Sequence, residues 1–108
     1  METVTFEEFR RLDIRVGRIV AVERIRRARR LLLLKVDLGE EERQLVAGLA
    51  GYYEPEQLVG KEVVVVTNLK PKIIMGFKSQ GMLLAAVVDG KPVLLIPEEE
   101  VPPGTKVE

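Results

Sequence analysis

The stretch from Ile14 to Val22 constrains the fold more than any other part of this chain. Ile14, Val16, Val20 and Val22 alternate with outward residues, the period of a half-buried strand, but Arg18 interrupts the apolar face directly after Gly17. A glycine and a parity break inside a long strand mark a bulge or a sharp bend, as a barrel corner requires. Leu32, Leu34, Val36 and Leu38 repeat with clean period two, and the segment GEEER then closes a turn. Leu45, Ala47 and Leu49 suggest a third strand, and Glu62 to Thr67 is a β-branched fourth. Between them, Tyr52 to Val59 holds Pro55 and reads as loop or a short helical turn. A fifth strand runs from about Met82 to Val88, and Asp89-Gly90 is a two-residue hairpin signal that returns the chain through Val93 to Ile96.

The ends frame these strands. Thr5 and Glu8 fit a capping box, and Phe6, Phe9 and Leu12 supply one apolar side of a short helix that should end near Asp13. PEEEVPPGTKVE contains three prolines and reads as an extended tail. A chain of 108 residues without repeats or linkers fits one domain, residues 1–108. The expected fold is all-β: a five-stranded barrel of the oligonucleotide/oligosaccharide-binding (OB) type with a short N-terminal helix and an extended C-terminal tail.

Composition excludes several classes of function. Cysteine and histidine are both absent, which removes disulfides, thiolate nucleophiles, the usual general base near neutral pH and the commonest metal ligand. No metal, no cofactor and no enzymatic activity are expected, since a catalyst would need a perturbed lysine or carboxylate pair and none is visible. Glu98, Glu99 and Glu100 would point to different sides of a strand-like segment, so they read as a solvated run. No apolar run reaches the ~20 residues of a membrane span and METVTFEEF is too acidic for a signal peptide, so the expected location is the cytoplasm. Few thermolabile side chains beside many Arg and Glu point to a heat-adapted source.

Net charge is zero, yet the charges are segregated. Ile14 to Lys35 carries eight basic residues against Glu23 alone, and NLKPKIIMGFKSQGM, residues 68–82, carries Lys70, Lys72 and Lys78 with no acid. Ligands of the expected barrel lie across strands 2 and 3, flanked by the loops joining strands 1 to 2 and 4 to 5. Here those loops are ERIRRARR, residues 23–30, and the segment that begins NLKPKIIMGFKS. Fold pattern and charge map therefore converge on one mouth, suited to phosphate contacts and a strong salt dependence. Aromatic residues are scarce and only Phe77 falls there, so recognition by shape and backbone suits the chain better than wholesale base stacking.

NLKPKIIMGFKSQGM also resembles the NLKP…G…S-x-G-M signature of the tRNA-binding domain family. FEEFRRLDIRVGRIVAVE resembles that family's opening, and VDLGEEERQLVAGLAGYYEPEQLVGKEVVVV its middle, so the likeness covers nearly the whole chain. The resemblance implies a homodimeric barrel that holds the outer corner of folded tRNA with little sequence preference. By position, Asn68, Ser79 and Met82 match residues the family uses at its RNA surface, and Arg30 stands where the family usually has lysine. This chain departs where relatives tend to have His-Pro-Asn-Ala-Asp-Lys-Leu. It has Ile25 to Leu31, keeps only Ala28 and Leu31 with a base at Arg30, and replaces an acid by Arg29. Ile73 sits where a second basic residue is common.

The candidate RNA-binding residues are Arg27, Arg30, Arg43, Asn68, Lys70, Lys72, Lys78, Ser79 and Met82. Four of them have an equally physical structural reading. Met82 is either core or a platform for an exposed base, and Ser79 either a turn residue or a donor to phosphate or ribose. Asn68 either caps the turn before Pro71 or holds the loop that aims Lys70. Arg43 either pairs with neighbouring glutamates or faces the groove. The expected partners are tRNA, a second copy of the chain and, by resemblance, the catalytic chain of methionyl-tRNA synthetase. A chaperone-like, peptide-binding activity is the alternative that an export-related branch of the family implies, carried here by Ile73, Ile74, Met75 and Phe77.

Overall fold

The computed structural model describes all 108 residues. A short helix α1 (Phe6–Arg10) leads into β1 (Ile14–Arg24), β2 (Leu32–Asp37) and β3 (Glu42–Ala47). A helical turn α2 (Pro55–Leu58) precedes β4 (Glu62–Val66), and six short strands follow: β5 (Lys72–Ile74), β6 (Phe77–Ser79), β7 (Met82–Leu83), β8 (Ala85–Val88), β9 (Lys91–Leu94) and β10 (Lys106–Val107). The main sheet runs β3-β2-β1-β4-β7 with β10 on β1, and the fold is all-β and barrel-like. The long first strand serves both halves: β2 pairs with its second half, β4 with its first.

Gly17 is the glycine that matters in β1, but not as the bulge. A Cβ there would lie 2.4 Å from Val36 Cγ1 and 2.9 Å from Leu38 Cδ2, so its absence lets two core side chains pack against the strand. The bulge falls later, where Ile19 faces Val36 and Ala21 faces Lys35, leaving Val20 unopposed. Consequently Ile19 is fully buried while Val20 is exposed, the reverse of the simple alternation. One extra residue on one strand is enough to swap the faces.

The core is built as expected from the second strand. Leu32, Leu34 and Val36 point inward with Leu45 of β3 and Val63 and Val65 of β4, joined by Leu49, Leu58 and Ile19. Such aliphatic burial, worth roughly 1.5–3 kcal/mol per side chain, is the main stabilising contribution to the fold.

Other expectations shift. The capping box at Thr5 and Glu8 forms with both bonds at 3.0 Å, yet no residue of α1 is buried. Its side Phe6, Phe9 and Leu12 is left in solvent. The expected fifth strand divides at Leu84: β7 stays on β4, whereas β8 leaves the sheet to pair with β9 through the Asp89-Gly90 turn. Both turn residues have positive φ, 48° and 81°, as a tight hairpin of this kind needs. The C-terminal tail is not free either, since Lys106 and Val107 pair with Arg15 and Ile14.

A candidate nucleic-acid interface

Loop 25–31 is shorter than ERIRRARR suggested, because β1 continues through Arg24. Ile25 turns inward and is buried. Two successive turns follow, with Ala28 N donating to Ile25 O at 3.1 Å and Leu31 N to Ala28 O at 3.0 Å. Ala50 N donates to Arg30 O at 3.2 Å. A pinned apolar residue and three backbone bonds thus hold a loop whose Arg26, Arg27, Arg29 and Arg30 all point to solvent.

Segment 68–82 contains structure that the sequence left as loop. Strands β5 and β6 form a hairpin in which Ile74 faces Phe77 and Ile73 faces Lys78. Met75 and Gly76 make its turn at φ 51° and 85°. The hairpin is fastened to β3 largely by side chains. Gln44 Nε2 donates to Lys78 O at 2.9 Å, Val46 N to Ser79 Oγ at 3.0 Å, and Gln80 N to Gln44 O at 2.8 Å. This seam joins the two edges of the sheet. Gly81 completes it, since a Cβ there would stand 2.9 Å from Val66 O.

The two basic segments meet. Arg24, Ile25, Arg26 and Arg27 line a cleft of about 400 Å³ together with Met75 and Phe77 of the hairpin. Five ion pairs form in the chain, and they engage Arg15, Arg18, Arg24 and Arg43. Arg26, Arg27, Arg29, Arg30, Lys35, Lys70, Lys72 and Lys78 take no part in them, so the charge of this rim is uncompensated.

The candidate residues divide by environment. Arg27, Arg30, Lys70, Lys72 and Lys78 are exposed cations, and Met82 is exposed as well, so it is not a core residue. The other three are engaged within the chain. Ser79 is buried, accepting from Val46 N and donating to Gly81 O at 3.4 Å. Asn68 spans the helix-to-strand junction: Asp13 N donates to its Oδ1 at 2.8 Å and its Nδ2 donates to Arg11 O at 2.6 Å. Arg43 pairs with Glu41 and donates to Thr67 O, fixing the end of β4 beside β3. Sequence reasoning missed Gln44 and Gln80, since a cross-barrel seam has no local signature. Arg26 and Arg29 fall within the basic loop that the sequence put at the mouth, though not among the named candidates.

A larger recess of about 560 Å³ is lined by Asp13, Arg15, Glu40, Glu41, Arg43 and Thr67 among others. Both of its arginines are already paired, Arg15 with Asp13 and Arg43 with Glu41. Arg15 Nε donates to both Asp13 oxygens at 3.1 and 2.9 Å, and Thr67 Oγ1 donates to the same carboxylate. The Arg15 guanidinium, with Thr67 second, holds the Asp13 carboxyl below the usual carboxylate range, and the carboxylate in turn raises Arg15. The larger recess thus has its arginines paired, whereas Arg26 and Arg27 of the smaller cleft are not.

Fold and rim together define a small barrel-like β module with a basic edge on which only Arg24 is ion-paired. Residues 14–106 match the family model described as "Putative tRNA binding domain", and the chain belongs to that family. Methionine–tRNA ligase of Archaeoglobus fulgidus is 52% identical over 106 residues, which are 98% of this chain and 16% of the ligase. The Thermococcus kodakarensis ligase is 52% identical over 107 residues, 99% of this chain and 14% of that protein. The chain thus spans about a sixth or less of the length of these relatives. A methionyl-tRNA synthetase-related protein from Pyrococcus horikoshii superimposes with a TM-score of 0.94 at 43% identity, covering 100% of both chains. The chaperone CsaA from Bacillus anthracis superimposes at 0.91 with 37% identity, over 99% of this chain and 100% of that one. No helix is long and apolar enough to cross a membrane.

Proposed function

We propose that the chain is a non-catalytic, cytoplasmic tRNA-binding module of the OB type. It recognises the shape of folded tRNA at its outer corner, acting as a detached subunit of methionyl-tRNA synthetase or as a free-standing carrier. The observation that carries this reading is the single cleft lined by both basic segments, where Arg26 and Arg27 form no ion pair and only Arg24 is paired, with Glu54. Arg27, Arg30, Lys70, Lys72 and Lys78 contact phosphates, and Met82 offers an apolar surface to a sugar or base. Asn68, Ser79 and Arg43 act by positioning, because their polar atoms already serve the chain's own backbone. Such a rim releases counterions on binding, so log K should fall against log salt by about 0.7–0.9 for each phosphate neutralised. Fluorescence anisotropy with labelled tRNA over a salt series tests this. A slope of −3 or steeper is expected; absence of binding at low salt, or a flat slope, overturns it.

The same rim fits a homodimer that presents two copies to one tRNA. The exposed side of α1 lies beside Lys106 and Val107 in a recess of about 180 Å³, an apolar surface for a second copy. Sedimentation at micromolar concentration should give twice the chain mass, and a monomer there removes the dimer from the proposal. A peptide-binding role has one observation of its own, the exposure of Ile73 at 70%, in a chain whose overall fold superimposes on the chaperone CsaA from Bacillus anthracis. Suppression of aggregation that survives high salt and ignores added tRNA would favour it.

A further inference from the structure

Phosphate binding makes no use of one wall of the cleft. Met75, Phe77 and Ile25 are its apolar lining, and they share the cleft with Arg24, Arg26 and Arg27. Both are left in solvent, at 49% and 36% exposure, where burial would be favourable. Met75 also occupies the left-handed region at φ 51°, a conformation that L side chains adopt at some cost. The hairpin turn thus holds a thioether and a phenyl ring out beside two planar cations.

We infer that this cleft takes one unstacked nucleobase of the bound RNA, sandwiched between the Phe77 ring with the Met75 thioether and the guanidinium groups of Arg26 and Arg27. This rests on the RNA-binding reading above and deepens it. A volume of about 400 Å³ lies in the range of pockets that hold one small molecule, and a base still stacked in a duplex has no free face to offer it. Every base offers a π face to an aromatic ring, and arginine stacks on the other side as a planar cation. A nucleotide also brings its own phosphate to the guanidinium groups. An apolar peptide side chain would instead desolvate two unpaired cations without compensation. Wall rigidity helps, because buried Ile25 and the turn bonds of loop 25–31 fix the arginine side in advance. The module would therefore favour RNA with a splayed-out nucleotide over plain duplex of equal charge.

The chain has no tryptophan, so Phe77→Trp places a single reporter on the proposed stacking wall. The full-length variant is titrated with folded tRNA, with a short adenine oligonucleotide and with a blunt RNA duplex of matched phosphate number. Quenching by tRNA and oligonucleotide, with little by the duplex, is expected. In parallel, Phe77→Leu keeps apolar bulk without the π face and should lower tRNA affinity roughly 5- to 100-fold at an unchanged salt slope. Equal quenching by the duplex overturns the base-binding cleft. So does tRNA binding without quenching and without loss in Phe77→Leu, and in that case the tRNA reading stands. Quenching by the oligonucleotide without binding of folded tRNA does the opposite, and binding of neither overturns both.

Discussion

Arg18 and Arg27 lie within ten residues of each other and are put to opposite uses. Arg18 is paired across β1 and β4. Its Nη1 donates to Gly60 O at 3.0 Å, its Nη2 pairs with Glu100 at 2.7 Å, and buried Glu62 lies 3.6 Å away. Glu62 in turn accepts from Val101 N at 2.9 Å, so this network fastens the C-terminal tail to the barrel. Nine residues further along the chain, Arg27 has no acid and sits on a loop whose backbone is already held. In the first region the guanidinium completes the protein. In the second the protein is complete without it, and the charge remains for a ligand. What separates the paired from the free arginine here is whether a carboxylate arrives from elsewhere in the chain.

This contrast can be broken experimentally. The largest effect is expected from replacing Arg26, Arg27, Arg29 and Arg30 by glutamine together. Affinity for tRNA should fall on the order of a hundredfold or more near physiological salt, and the log–log slope should lose about 1.5, the share of the phosphate contacts of Arg27 and Arg30. The unfolding midpoint should scarcely move, as checked by calorimetry; a collapse of stability would put these arginines in the structural class. Next is Arg18→Ala, which strands the Glu62 carboxylate. Loss of about 2 kcal/mol is expected, a drop in Tm on the order of 10 °C, with tRNA affinity of the folded protein unchanged. Ser79→Ala sharpens the comparison within the signature itself. Removing the acceptor for Val46 N should destabilise by about 1–2 kcal/mol while leaving the salt slope intact. A fall in the tRNA affinity of the folded variant would return Ser79 to the ligand surface.

The smallest effect concerns pH. Asp13 in the folded chain holds its proton less tightly than in the unfolded chain, because Arg15 and Thr67 stabilise its charged form. Its contribution is therefore fully present above the unfolded value near 4 and is lost as pH falls through the lower folded value. Stability should decline below about pH 4, and Asp13→Asn should flatten that part of the curve. An identical acid limb in the variant would show that other carboxylates govern it.

Much of the rim was legible in the amino-acid order. ERIRRARR and NLKPKIIMGFKSQGM stood out as acid-poor, and the strand pattern put them at one mouth; the cleft of Arg26, Arg27, Met75 and Phe77 joins them. Met82 carried two readings and is exposed. Less was legible for Asn68, Ser79 and Arg43. Each has the chemistry of a ligand contact, yet each is occupied by partners 24 to 57 residues away in sequence. Such partners come together only when the barrel closes.

By itself the sequence determined the period-two strands, the capping box at Thr5 and Glu8, the Asp89-Gly90 hairpin and the bias of charge, since each depends on side chains a few residues apart. Tertiary structure alone decided that Val20 and not Ile19 faces solvent, that the signature segment folds back as a hairpin on β3, and which cations are free. Register and ion pairing are settled between strands far apart in sequence. A difference of one residue or one carboxylate there reverses the role of a side chain without leaving a mark on its neighbours in the chain.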